Sequence, residues 1–158
     1  MPAPKLNAKA PVFKGECTGN KIVSLSDLKG KNVVLYFYPK DSTPGCTKEA
    51  ISFSKHLADF TKLNCLVFGI SKDSLKKHQN FIKKSNLLVN LLSDENETVC
   101  ENYGVWVEKS MYGRKYMGIE RTTFLINSKN KIINIWPKVK VTNHVEEVLE
   151  FTKNNTTS

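Results

Sequence analysis

Two hydrophobic rhythms alternate along the chain. Val33 to Tyr38, VVLYFY, is an unbroken β-branched and aromatic run, the pattern of a strand buried on both faces. Pro39 ends it, because a proline cannot serve a central ladder. The rhythm then changes: from Cys46, the apolar residues Ala50, Phe53, Leu57 and Phe60 recur at steps of four and three. That is helical spacing, with Cys46 on the apolar stripe. NCLVFGIS, 64–71, predicts a second buried strand, and KDSLKKHQNFIKKSN, 72–86, a helix capped by Asp73 or Ser74. VNLL predicts a short strand, and ENETVCENYG a short helix closed by Gly104. RTTFLI, the turn NSKN and KIINIW predict a hairpin over 121–136. Asn143 with Glu146 resembles a capping box for a last helix, and KIVSLSDLKGK suggests a strand and turn before the core begins. The order β-β-α-β-α-β-α-β-β-α implies an α/β fold, one mixed sheet covered by helices.

Composition narrows the class. The chain has 158 residues and no repeat or long linker, so it is expected to form a single domain, 1–158. No apolar run approaches the roughly 20 residues of a membrane span. MPAPKLNAKAPVF lacks an apolar leader core, so a cytoplasmic protein is expected. The net charge of +9 raises a nucleic-acid reading. The excess is almost all Lys spread along the chain, with Arg114 and Arg121 the two arginines, and no basic segment interleaves with aromatics. A basic nucleic-acid-binding or chaperone-like protein therefore stays an alternative of another class. Cys17, Cys46, Cys65 and Cys100 show neither C-x-x-C pairing nor zinc-ligand spacing, and the same holds for His56, His78 and His144. Free thiols are expected, with no metal site.

Cys46 invites chemistry. Thr43 is placed to cap the helix and Pro44 fits its first position, so Cys46 falls in the opening turn, where free amides and the helix dipole favour a thiolate. A thiol of ordinary pKa near 8.5 is only about 3% ionised at pH 7, and bringing such a thiol to about 6 takes roughly 3.4 kcal/mol. A helix terminus supplies ~0.3–1 kcal/mol, up to ~2 when partly buried. The shortfall predicts a second positive group beside Cys46, and Arg121, which opens RTTFLI, can reach it if that strand lies alongside. A Cys46–His144–Asn143 hydrolase is a weaker option, because capping already accounts for Asn143.

Pro39, Thr43 and Cys46 fit the P-x-x-x-T-x-x-C signature of peroxiredoxins, and YFYPKDSTPGCTKEA resembles the bacterioferritin-comigratory (PrxQ/BCP) subfamily. The resemblance continues through LLSDENETVCENYGVW, MYGRKYMGIERTTFLI and WPKVKVTNHVEEVL. It implies a thioredoxin-like fold with an N-terminal β extension and thiol-dependent reduction of hydrogen peroxide and organic hydroperoxides. It makes Cys46 the peroxidatic cysteine, with Thr43 on the peroxide and Arg121 stabilising thiolate and transition state. Pro39 would shield the pocket and Glu49 orient the arginine, and no metal or organic cofactor would be needed, because sulfur carries the redox chemistry. A monomer is expected.

The resemblance also exposes a gap. Many members carry a resolving cysteine five residues after the peroxidatic one, and others carry it in the next helix; here those positions are Ile51 and Ile82. Ile51 lies roughly 140° around the helix from Cys46, so it need not be a core residue. Cys65 reads as an inert core thiol and Cys100 as a helix-face residue, while Cys17, near the turn ECTGNK, is expected to be more exposed. The expectation is a one-cysteine mechanism in which an external thiol (thioredoxin, glutaredoxin or a small thiol such as glutathione) attacks the Cys46 sulfenic acid. The alternative is a two-cysteine cycle resolved by Cys17, Cys65 or Cys100.

Overall fold

The computed structural model describes residues 3–156. Met1 and Pro2, part of the stretch searched for a leader, and Thr157 and Ser158 at the end of the expected domain lie outside the described residues. The chain runs through β1 (Lys14–Cys17), β2 (Lys21–Ser24), a 3-10 turn (Leu25–Leu28) and β3 (Asn32–Phe37), then α1 (Pro44–Lys55) and α2 (Leu57–Lys62). It continues with β4 (Cys65–Ser71), α3 (Leu75–Ser85), β5 (Asn90–Ser93) and α4 (Val99–Asn102). β6 (Trp106–Met111), β7 (Arg114–Ile119), β8 (Thr122–Ile126), β9 (Ile132–Trp136) and α5 (His144–Asn155) complete it.

Seven strands form one mixed sheet in the order β2-β1-β5-β4-β3-β8-β9. β3 lies inside it, next to the central β4, parallel to β4 and antiparallel to β8, and every residue of it is buried. Its side chains alternate between two cores. Val33, Leu35 and Phe37 join Cys17, Cys100 and Tyr103 on one face, and Val34 and Tyr36 join Cys46, Phe53 and Cys65 on the other. On that second face Tyr36 stacks on Phe53 of α1, ring centroids 4.4 Å apart. Gly69 on β4 permits this: a Cβ there would lie 2.5 Å from the Tyr36 ring.

The helix beginning near Cys46 breaks at His56 into α1 and α2. Ser74, not Asp73, caps α3, accepting from the Lys77 N–H at 3.2 Å. Gly104 follows α4 with φ +71°, as a helix-closing glycine should. The expected capping box at Asn143 does not form: Asn143 takes a left-handed φ of 61° and its side chain bonds no helix amide. Three strands were not anticipated. β1 is only four residues long, and the β6–β7 hairpin stands apart as its own two-stranded sheet with mostly exposed residues. Among the described residues no helix is long and apolar enough to cross a membrane.

Candidate active site

The sheet register builds the site. Phe37 of β3 pairs with Thr122 of β8, so Arg121, one residue before β8, lies level with Tyr38, where the chain leaves the sheet. From there residues 39–43 lead into α1. Thr43 has the extended backbone of an N-cap and Pro44 begins the helix. Thr43 is nonetheless no side-chain cap, because its hydroxyl donates to the Lys40 carbonyl at 2.8 Å. The buried face of α1 comprises Cys46, Glu49, Ala50, Phe53 and Ser54, spaced at three, four, seven and eight residues as a core-facing stripe requires. A carboxylate in that stripe needs a counter-charge.

Arg121 supplies it. Its Nη1 donates to Glu49 Oε1 at 2.7 Å and its Nη2 to Cys46 Sγ at 3.2 Å. One planar fork thus holds two side chains one helical turn apart, a geometry that the single ammonium of lysine lacks. Cys46 is 2% exposed and Glu49 0%, while the Arg121 side chain is 16% exposed. Burial pushes the Glu49 carboxyl up from an ordinary 4.5 to about 7, against the opposing pull of Arg121. Burial works to lower the Arg121 pKa, but Glu49 and Cys46 outweigh it and hold the guanidinium above its ordinary value. The second positive group that the sequence called for is therefore 3.2 Å from the sulfur.

Of the five residues singled out, Cys46, Glu49 and Arg121 are joined by hydrogen bonds. Thr43 lies one turn upstream, half-buried, and Pro39 sits exposed at the end of the strand run. The sequence reading missed Gly45. A Cβ on it would stand 3.3 Å from Arg121 Nη2, so the glycine clears the guanidinium's path to the sulfur. Its signal was a glycine in a helix's first turn, where the residue is otherwise disfavoured. His78, within the helix predicted over 72–86, is given no role by the sequence. It is fully buried and bonded to Asp41 of the 39–43 loop, Nδ1 to Oδ2 2.6 Å. His144 is buried against Thr123, Nε2 to Oγ1 2.8 Å. Burial first, then the charge of Arg121, lowers its pKa to about 4.

All four cysteines are free and buried. The expectation of an exposed Cys17 fails: β1 directs it into the core on the face opposite Cys46, at 0% exposure. Burial raises the pKa of Cys17 and Cys100 and pushes Cys65 up to about 12. Ile51 stands on the open side of α1 at 48% exposure, and Ile82 is partly buried against the core.

A seven-stranded mixed sheet flanked by helices, with a cysteine opening the helix after the interior strand β3, is a thioredoxin-like fold. Known proteins give its family. Residues 6–135 match the AhpC/TSA family. A Coxiella burnetii protein assigned as a peroxiredoxin Bcp is 54% identical over 145 residues, covering 92% of this chain and 96% of its own. Peroxiredoxin Bcp of Bacillus subtilis is 45% identical over 149 residues, covering 94% and 95%. Among solved structures, a cysteine-to-serine mutant of Xanthomonas campestris peroxiredoxin Q superposes with a TM-score of 0.89 at 37% identity, covering 95% of this chain and 99% of that one. The chain belongs to the AhpC/TSA family and, within it, to the PrxQ/Bcp peroxiredoxins.

Proposed function

We propose that Cys46 is the peroxidatic nucleophile of this thiol-dependent peroxidase, which acts on hydrogen peroxide and organic hydroperoxides in antioxidant defence. The Cys46–Arg121–Glu49 chain of hydrogen bonds carries the reading. A Cys46 thiolate attacks one peroxide oxygen; an S–O bond forms as the O–O bond breaks. The sulfur is oxidised by two electrons to sulfenic acid, and the departing oxygen takes a proton and leaves as water or alcohol. Arg121 stabilises negative charge as it moves from sulfur to the leaving oxygen, because its fork is held in place before reaction. Glu49 orients that fork. Thr43 has its hydroxyl hydrogen committed to Lys40, which leaves its oxygen lone pairs to accept from the peroxide O–H. Pro39, exposed where the strand run ends, takes the shielding role that the family resemblance implies. The alkyl peroxide reduction studied in Xanthomonas campestris bacterioferritin comigratory protein, 39% identical with a TM-score of 0.85, supports the inclusion of organic hydroperoxides.

Resolution is external in this reading. A thiol attacks the sulfenic sulfur, water leaves, and a second thiol releases the mixed disulfide. Three observations support a one-cysteine cycle. Ile51 and Ile82 hold the familiar resolving positions. Cys17 and Cys100 are packed across the sheet from Cys46. Cys65 pairs with Asn32 at the far end of β3, six residues from Tyr38 or ~20 Å at a strand's rise, whereas a disulfide needs Cα atoms within about 7 Å. The reductant is thioredoxin, glutaredoxin or a small thiol. A reducing cytoplasm suits four unpaired cysteines, and the net charge of +9 favours a monomer.

Peroxide consumption with dithiothreitol tests the peroxidase assignment: the wild type turns over and Cys46→Ser does not, and equal rates would sink it. Peptide mapping after one equivalent of peroxide tests resolution. A Cys46 sulfenic acid or its thiol adduct is expected, and an internal Cys46 disulfide would replace the one-cysteine scheme.

A further inference from the structure

The reaction just described leaves one buried polar cluster unused. Between β3 and α1, the loop 39–43 has exposed Pro39, Lys40 and Ser42 on either side of a buried Asp41. Ser42 takes a left-handed φ of 63°, a conformation that a residue other than glycine keeps only where its neighbours enforce it. Asp41 is the enforcing residue. Its Oδ1 accepts from the Tyr38 hydroxyl at 2.6 Å, its Oδ2 meets His78 Nδ1 at 2.6 Å, and its own N–H donates to Asp73 Oδ2 at 2.8 Å. His78 Nε2 is 3.1 Å from the Leu92 carbonyl, an oxygen that can only accept, so Nε2 carries a hydrogen. The imidazole therefore bolts the loop to β5 from its seat on α3.

We propose that His78 is a positioning residue for the peroxide step: through Asp41 it fixes the loop that sets Thr43 and delivers Cys46 to Arg121. The inference rests on the reading of Cys46 as peroxidatic. The plain alternative is a buried polar cluster that stabilises the fold and nothing else. Two features point the other way. Asp41 is two residues from Thr43 and five from Cys46, and both of its carboxylate oxygens are engaged in holding the loop. The loop they hold joins β3 to α1, the helix whose placement against the sheet sets the 3.2 Å sulfur–guanidinium contact.

The two halves of the cycle separate these roles. Single-turnover oxidation of Cys46 by hydrogen peroxide is followed by stopped flow, and dithiothreitol reduction of preformed sulfenic acid is followed separately. His78→Ala and Asp41→Ala are expected to slow oxidation roughly 10- to 100-fold, the scale of a misplacement near 1 Å, without slowing reduction. Asp41→Asn is the rescuing variant. Its amide donates to Nδ1 of a neutral His78 and its oxygen still accepts from Tyr38, so both bonds survive without charge and oxidation recovers to within about threefold of wild type. Oxidation at the wild-type rate in both alanine variants overturns the inference. So does an equal fall in both half-reactions that tracks a lower melting temperature and is not rescued by Asp41→Asn. A wild-type chain inert to peroxide would sink the underlying reading and this inference with it; a reactive wild type beside an equally reactive His78→Ala would sink this inference alone.

Discussion

Replacing Glu49 by glutamine keeps the shape of the side chain and its 2.7 Å contact with Arg121 while deleting the ionisable group. In the folded protein burial holds this carboxyl at about 7, against an ordinary 4.5. A carboxyl raised on folding binds its proton more tightly in the native state, so it favours folding below pH 4.5 and that contribution is lost as pH rises through 7. The interval from 4.5 to about 7 corresponds, at ~1.36 kcal/mol per tenfold change, to about 3 kcal/mol. Other carboxylates titrate over the same range, so the quantity to measure is a difference. Urea unfolding of wild type and Glu49→Gln at intervals across roughly pH 4 to 8 gives that difference. The variant is expected to gain on the wild type by about 3 kcal/mol over the range, with most of the change between pH 4.5 and 7. A difference that stays flat, or that moves in favour of the wild type as pH rises, would refute the reasoning. It would mean that Arg121 fully compensates the buried charge. In the peroxidase assay the same variant leaves Arg121 with a weaker partner, so a lower kcat/KM for peroxide is expected.

Arg121→Lys keeps the charge but gives up one of two charge-assisted hydrogen bonds; at ~1.5–3 kcal/mol for such a bond, kcat/KM for peroxide should fall roughly 10- to 100-fold. A steady-state peroxide assay reads this, and a rate unchanged from wild type would contradict the bidentate role. Gly45→Ala introduces a Cβ 3.3 Å from Arg121 Nη2, which pushes the guanidinium off by a few tenths of an ångström. A several-fold slower oxidation with an unchanged melting temperature is expected. His144, held neutral by burial with its pKa near 4, contributes stability above pH 6.5 that is lost as pH falls through 4. His144→Gln, measured by thermal melting, should flatten that acid limb.

The parts of the molecule that the sequence revealed are those in which one physical demand dominates. β3 is buried on both faces and reads as an unbroken apolar run; α3 and α5 carry regular stripes. The β6–β7 hairpin was invisible because it alternates against solvent on both sides, with Glu108, Lys109, Arg114 and Lys115 interrupting any apolar period. Asn143 and Thr43 both suit a helix cap by residue type. Each is diverted by its surroundings, Asn143 into a left-handed turn and Thr43 onto the Lys40 carbonyl. Cys17 was misjudged because its strand has only four residues and its burial depends on pairing with β5, more than seventy positions away. At the site, the demand for a cation beside Cys46 followed from the energetics of a thiolate. That Asp41 would meet His78 could not be read, since nothing local in either segment points to the other.

Under the one-cysteine cycle proposed above, a sheet that keeps Cys46 on one side and Cys17 and Cys100 on the other makes the lifetime of the oxidised sulfur a property of its surroundings. An internal partner would give first-order decay, indifferent to dilution. With an outside thiol the decay is second order, so halving the thiol doubles the time that the sulfenic acid waits and doubles its exposure to a second peroxide. The fraction of molecules driven on to sulfinic acid then follows the ratio of peroxide to thiol. In that cycle the population would behave as a comparator of two concentrations, and its damaged fraction would record the moments when supply of the thiol fell behind.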